Sequence, residues 1–139
     1  MTLNAQNAKT VLIVEDDKLN QRLFDDVLTA AGHSTIVVDN CTSAINAAHA
    51  NKPDLIIMDI RLGAGSGITA TRMIKGDFRT DQTPIIAVTA NTLTADKTEA
   101  MEAGCADYLT KPVSISHLLS VVNRHMPRSA KIMELRFAS

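Results

Sequence analysis

The sequence predicts an α/β fold, a doubly wound (βα)5 three-layer sandwich in which helices cover both faces of one parallel five-stranded sheet. Five short apolar runs alternate with five stretches of helical periodicity, which is typical of βαβ units with right-handed crossovers. In addition, residues 55–58 are apolar at every position rather than at alternate ones, which indicates a strand buried on both faces.

The elements follow from these runs and from the residues that interrupt them. Helical spacing of apolar residues predicts helices around 19–28, 44–48, 68–75, 94–103 and 115–122. The helix at 94–103 has an apolar face made only of alanines, Leu93 and Met101, so we expect it to be loosely packed and able to shift. The strands are predicted at 10–14, 34–38, 54–59, 84–89 and 106–110.

Length and charge restrict the organisation and the class of partner. The chain of 139 residues is the size of one domain, which we place at 10–126 between a polar leader at 1–9 and a tail at 127–139. The net charge of −1 favours neither nucleic acid nor an anionic membrane surface as a partner. The amino terminus lacks a secretory pattern and no run approaches a membrane span, so we expect a cytoplasmic protein.

Polar side chains follow four of the five predicted strands. Glu15 and Asp16 follow the first, Asp59 ends the third, Thr89 ends the fourth and Lys111 follows the fifth. If the strand order reverses between the first and third strands, the acidic ends meet at that switch point, with Thr89 and Lys111 beside them.

Such a cluster of carboxylates needs protons or a cation. At ~4 Å and an effective dielectric near 20, each like-charged pair costs about 4 kcal/mol. Mg²⁺ suits a site of few carboxylates, a backbone carbonyl, waters and a phosphoryl group. The charge of Lys111 and the hydroxyl of Thr89 then provide contacts for phosphoryl oxygens, so the residues predict phosphoryl transfer.

The same residues resemble the receiver domain of two-component response regulators, the CheY-like family, from about Thr10 to Met126. Among its members, the sequence around Asp16, Asp54 and Cys105 is most similar to the single-domain DivK-type regulators, and it is also similar to receivers of hybrid kinases. The resemblance implies a sheet of order 2-1-3-4-5. The motifs that carry it lie at 11–16, 55–59, 88–90 and 108–112.

The resemblance also implies a role for each of these residues. Asp59 accepts a phosphoryl group from a sensor histidine kinase or a histidine phosphotransfer protein. Mg²⁺ is held by Glu15, Asp16, Asp59 and the backbone carbonyl of Arg61, while Thr89 and Lys111 bind the phosphoryl oxygens.

A change of shape is implied as well. Tyr108 turns inward when Thr89 moves toward the phosphoryl group, and Lys111-Pro112 is a cis peptide. The face formed by the fourth helix, the fifth strand and the fifth helix then selects a downstream protein. Since no output domain follows in the sequence, we expect a single-domain regulator that is not an enzyme.

Departures from the family pattern keep alternatives open. Gly63 stands where receivers usually have proline, which predicts a less preorganised loop and leaves open a pseudoreceiver that binds partners without phosphorylation. A phosphohydrolase of the haloacid dehalogenase type would need a second aspartate two residues after Asp59, where this chain has Arg61. Arg61 and Asn91 occupy positions that tune phosphoryl lifetime in the family.

Overall fold

The computed structural model describes residues 9–63, 65–90 and 94–127, with only the backbone described at Thr94. The leader and tail predicted at the two ends therefore lie almost entirely outside the described residues, as do Asn91 and Leu93. The bounds of the main elements are, in chain order, β1 Thr10–Val14, α1 Lys18–Ala30, β2 Ser34–Val38, α2 Cys41–Asn51, β3 Leu55–Asp59, α3 Gly67–Lys75, β4 Ile85–Thr89, α4 Thr94–Ala103, β5 Asp107–Thr110 and α5 Ile115–His125.

These strands form a parallel five-stranded sheet of order β2-β1-β3-β4-β5, so the order 2-1-3-4-5 is confirmed. Three strands begin one residue later than predicted. In front of β3, Asp54 lies outside the strand, and its carboxylate accepts a hydrogen bond from the backbone N–H of Thr10 at 2.8 Å.

Helices cover both faces of the sheet, as the unbroken apolar runs predicted. α1 and α5 pack on one face, where Phe24 and Leu118 are buried against residues such as Ile57. α2, α3 and α4 pack on the other face. The five residues of β3 are all buried, which makes this strand the centre of the core. Full burial of one Leu or Ile side chain stabilises the fold by roughly 1.5–3 kcal/mol.

Polar side chains begin several of the helices. Asp17, Asn40, Ser66 and Ser114 each accept a backbone N–H from the first turn of α1, α2, α3 and α5 respectively. Gly32 and Gly104, which follow α1 and α4, have the positive φ angles of +97° and +115° that are common just past the end of a helix. Among the described residues, no helix has the length and apolar character needed to cross a membrane.

The loop after β3 contains a feature that the sequence did not predict. Arg61–Leu62 and Gly65–Ser66 pair as a short antiparallel hairpin. Two residues on each side of this loop are therefore joined by backbone pairing.

Candidate functional site

Three carboxylates meet at the carboxyl ends of β1 and β3. These strands are neighbours, with Val14 opposite Met58, so the residues that follow them come together. Glu15, Asp16 and Asp59 each place one oxygen within 4.8 Å of the others. Glu15 and Asp59 are buried and Asp16 is exposed, so the cluster is open to solvent on the Asp16 side.

Lys111 supplies the positive charge at this cluster. Its position is set by the end of β5, since its backbone N–H donates to the carbonyl of Thr89 at 2.8 Å. Its Nζ lies 3.1 Å from Oδ2 of Asp59 and 3.2 Å from Oε1 of Glu15. One ammonium group thus forms ion pairs with both buried carboxylates.

The electrostatics show how crowded the cluster is. Burial, together with the neighbouring Asp59, raises the pKa of Glu15 to about 7, although the Asp17 backbone N–H and the charge of Lys111 oppose that rise. Burial lowers the pKa of Lys111, but the carboxylates of Asp59 and Glu15 outweigh it and leave that pKa above its ordinary value. One lysine therefore does not fully compensate the carboxylates, as the cost of like charges predicted.

Backbone N–H groups orient all three carboxylates. Oδ1 of Asp59 accepts from the N–H of Arg61 at 3.0 Å, and Oδ2 of Asp16 accepts from the N–H of Gly63 at 2.8 Å. Glu15 accepts at Oε2 from the N–H of Asp17 at 3.1 Å. The hairpin after β3 and the turn after β1 thus determine where the acidic side chains point.

The donor set fits a divalent cation such as Mg²⁺. Oε1 of Glu15 is buried and, within the described part of the chain, has no hydrogen-bond partner, although it is in ion-pair range of Lys111. A buried carboxylate oxygen of this kind, beside two further carboxylates of which one is open to solvent, is what a hard oxygen-binding cation requires. Glu15, Asp16 and Asp59 are the residues that would hold it.

The remaining predicted residues surround this cluster or extend from it. Thr89 is buried at the end of β4, in a strand paired directly with β3. Tyr108 lies half-buried on β5, on the face covered by α2, α3 and α4, and Nζ of Lys97 lies 4.6 Å from its ring centroid. The peptide bond between Lys111 and Pro112 is cis.

Two features at the site were not predicted. Gly67 begins α3 directly over the end of β3, and a Cβ at this position would lie 2.1 Å from the carbonyl oxygen of Asp59. Arg61 places Nη2 3.2 Å from Oδ2 of Asp96 in the first turn of α4. The three glycines from 63 to 67 are the local signal that could have indicated a close approach of the backbone, whereas nothing local indicates the contact with Asp96.

The fold and the site together are those of a receiver domain. Comparison with known families gives the same result, since residues 11–123 match the response regulator receiver domain. The chain belongs to this family and is a receiver-domain response regulator of two-component signalling.

Individual relatives agree with this assignment. The polar-differentiation response regulator DivK of Brucella anthropi is 37% identical over 118 residues, which cover 85% of this chain and 96% of that protein. The receiver domain of sensor histidine kinase PA1611 from Pseudomonas aeruginosa, whose structure has a magnesium ion in its active-site cleft, is 34% identical with a TM-score of 0.79. That match covers 85% of this chain and 97% of the receiver.

A putative response regulator from Chloroflexus aurantiacus is 30% identical with a TM-score of 0.81, and the match covers 84% of this chain and 96% of that one. The resemblance to receiver domains, including the DivK-type regulators, is therefore confirmed.

Proposed function

We propose that this receiver accepts a phosphoryl group on Asp59 from the phosphohistidine of a sensor histidine kinase or a histidine phosphotransfer protein. The observation that carries the proposal is the contact of Lys111 with both Asp59 and Glu15 beside a third carboxylate. A carboxylate oxygen of Asp59 attacks phosphorus, a P–O bond forms, and the P–N bond breaks with its electron pair returning to the histidine.

During that transfer, residues of this chain position the reacting groups and neutralise negative charge. The N–H of Arg61 holds Oδ1 of Asp59, which leaves Oδ2, on the Lys111 side, for attack. Lys111 stabilises negative charge on the phosphoryl oxygens, and the hydroxyl of Thr89 donates to one of them. Bound Mg²⁺ would neutralise phosphoryl charge, held by Glu15, Asp16, Asp59 and the carbonyl of Arg61.

Phosphorylation then changes the surface that partners contact. The acyl phosphate adds roughly two negative charges beside Thr89. Movement of Thr89 toward this group opens space that the half-buried ring of Tyr108 can occupy, and the face formed by α4, β5 and α5 changes shape. This face recognises the downstream protein in a phosphorylation-dependent way.

Intact mass spectrometry after incubation with a small phosphodonor and Mg²⁺ tests the proposal. The parent should gain one phosphoryl group and Asp59→Asn none. Asp26→Asn is a matched control, because Asp26 is an exposed residue of α1. Equal phosphorylation of parent and Asp59→Asn would exclude Asp59 as the acceptor. No gain from either a small donor or a phosphorylated histidine phosphotransfer protein, with Mg²⁺ bound, would favour a pseudoreceiver.

A further inference from the structure

The first turn of α4 contacts both the loop that follows Asp59, the proposed acceptor, and Tyr108, the proposed switch residue. Asp96 forms an ion pair with Arg61, which follows β3, and the next residue, Lys97, lies over the ring of Tyr108 on β5. A cation 4.6 Å from an aromatic centroid is within the range of an attractive cation–π contact. Two consecutive residues of one helix thus contact Arg61, in the loop after β3, and Tyr108, the candidate switch residue.

Arg61 contacts both the proposed acceptor and α4. Its backbone N–H donates to Oδ1 of Asp59 at 3.0 Å, so its side chain leaves the backbone next to the acceptor carboxylate. The guanidinium extends to α4, where Nη2 lies 3.2 and 3.5 Å from the two oxygens of Asp96. The side chain of Arg61 is 65% exposed, so solvent leaves it room to reorient, whereas that of Asp96 is only 15% exposed.

The described side chains of α4 bury little apolar surface. Among its described side chains, only Ala100 and Ala103 are buried, and both are small. Met101 is 46% exposed. Because these side chains bury so little apolar surface, even the modest stabilisation from the ion pair of Arg61 with Asp96 contributes to holding this turn against the hairpin after β3.

We propose that Arg61 is a shared cation, paired with Asp96 before phosphorylation and with the phosphoryl group on Asp59 after it. The inference rests on the proposed function, since it requires that phosphoryl group. A phosphoryl group carries more charge than one carboxylate and offers a guanidinium two parallel hydrogen bonds, so it competes effectively for Arg61. Asp96 is a positioning residue that keeps Arg61 away from the acceptor.

The exchange releases the first turn of α4. Once Arg61 leaves, Asp96 has lost its cation and the contact between the hairpin and α4 is broken. Lys97, one residue further along, moves with the same turn and transmits the change to Tyr108. Because coupling between two sites is reciprocal, loss of the Asp96 contact must in turn favour the phosphorylated state.

Beryllofluoride, which mimics a phosphoryl group on an aspartate, provides the first test. We expect Asp96→Asn to bind beryllofluoride with Mg²⁺ about two- to fivefold more tightly than the parent, the size of effect that one partly exposed ion pair supports. The same substitution in an Arg61→Gln background should have no effect on affinity. A merely structural role for Asp96 would not produce this dependence on Arg61.

Amide hydrogen exchange over residues 95–103 provides the second test. Without beryllofluoride, Asp96→Asn and Arg61→Gln should each exchange about two- to fivefold faster than the parent, and the double variant no faster than either. Beryllofluoride should accelerate exchange of this segment in the parent but not in Asp96→Asn. Asp26→Asn breaks an exposed ion pair with Arg22 on α1 and should alter neither measurement.

The outcomes separate this inference from the proposed function. A parent that takes up neither a phosphoryl group nor beryllofluoride contradicts both. If the parent binds beryllofluoride and Asp96→Asn binds it with the same affinity, the proposal of a shared cation is overturned but the proposed function is not. The same conclusion follows if Asp96→Asn changes the affinity equally in the parental and the Arg61→Gln backgrounds.

Discussion

The ammonium nitrogen of Lys111 lies 3.1 Å from Oδ2 of Asp59, although 52 residues separate the two in the chain. The parallel sheet creates this contact, because β3 and β5 flank β4 and all three strands end at the same edge. The lysine is therefore in position to contact the phosphoryl group that we propose for Asp59.

Loss of this ammonium should impair phosphoryl transfer more than metal binding. We expect Lys111→Met to slow phosphorylation by a small phosphodonor about 100-fold or more, the usual effect of removing one group that stabilises transition-state charge. Magnesium affinity should not fall, since the substitution removes a positive charge from the site. Phosphorylation kinetics followed by intact mass, with magnesium titrated by calorimetry, measure the two effects separately.

Lys75→Met is the matched control for this substitution. Lys75 is also a partly buried lysine, but its Nζ donates to the carbonyls of Asp81 and Thr83, away from the acidic cluster. We expect this variant to lose stability yet to be phosphorylated at the parental rate when folded. If both lysine variants slow phosphorylation equally, the contact of Lys111 with Asp59 has no special role.

Gly63 provides a hydrogen bond that the proline usual at this position in receivers cannot make. Its N–H donates to Oδ2 of Asp16 at 2.8 Å, and Asp16 is the exposed member of the acidic cluster. Gly63→Pro removes this donor, so we expect magnesium affinity to fall about tenfold, as is typical when a metal ligand loses its supporting hydrogen bond. Calorimetric titration with Mg²⁺ measures the change.

Gly63→Ala separates the lost N–H from the added side chain. The alanine keeps the donor, and its Cβ would lie 3.1 Å from Oδ2 of Asp16, a contact that a shift of a few tenths of an ångström relieves. We expect at most a small loss of magnesium affinity in this variant. Equal affinity in Gly63→Pro and the parent would show that the hydrogen bond does not position Asp16.

The sequence allowed the sheet and the acidic cluster to be predicted because both have local signals. The apolar run of β3 and the acidic residues that follow the strands can be recognised residue by residue, and the strand order that the resemblance to receivers implied then brings Asp59 beside Glu15. The ion pair of Arg61 with Asp96 has no such signal, since 35 residues separate the partners and each could equally be a solvated surface charge.

The role of Gly67 was equally hidden, because it depends on how closely the start of α3 approaches the end of β3. A Cβ there would lie 2.1 Å from the carbonyl oxygen of Asp59 and 2.7 Å from Cα of Ile60, both backbone atoms of a buried strand end. We expect Gly67→Ala to lower the free energy of unfolding by about 2–4 kcal/mol and to weaken magnesium binding, since Asp59 must move. Urea unfolding and calorimetry measure these changes.

Gly32→Ala distinguishes this clash from backbone strain. A Cβ at Gly32 has open space around it, but φ is +97°. The expected loss is about 1–2 kcal/mol from the left-handed conformation alone, with unchanged magnesium affinity. Parental magnesium affinity in Gly67→Ala would contradict the proposed link between Gly67 and the site.

Asp107 should make the stability of the fold depend on pH. Its Oδ2 lies 2.9 Å from Nε2 of His125 and 3.1 Å from Nη1 of Arg124. These two contacts join β5 to the end of α5. Burial raises the pKa of Asp107, but the hydrogen bonds from His125 and from the backbone N–H of Tyr108, with the charges of His125 and Arg124, outweigh it and lower the pKa.

Because the pKa of Asp107 is lower in the folded state than its ordinary value of 3.8, the unfolded chain takes up the proton first as the pH falls. The stabilisation of the folded state by the Asp107 carboxylate is therefore complete above about pH 5 and is lost as the pH falls through the folded pKa.

Asp107→Asn should lower the free energy of unfolding by about 1–2 kcal/mol at pH 7, and the difference from the parent should shrink below pH 4. Urea unfolding across this range measures it, with Asp26→Asn as the control, since its partner Arg22 and Asp26 itself are both largely exposed. A difference independent of pH would mean that packing, rather than the charge of Asp107, joins β5 to α5.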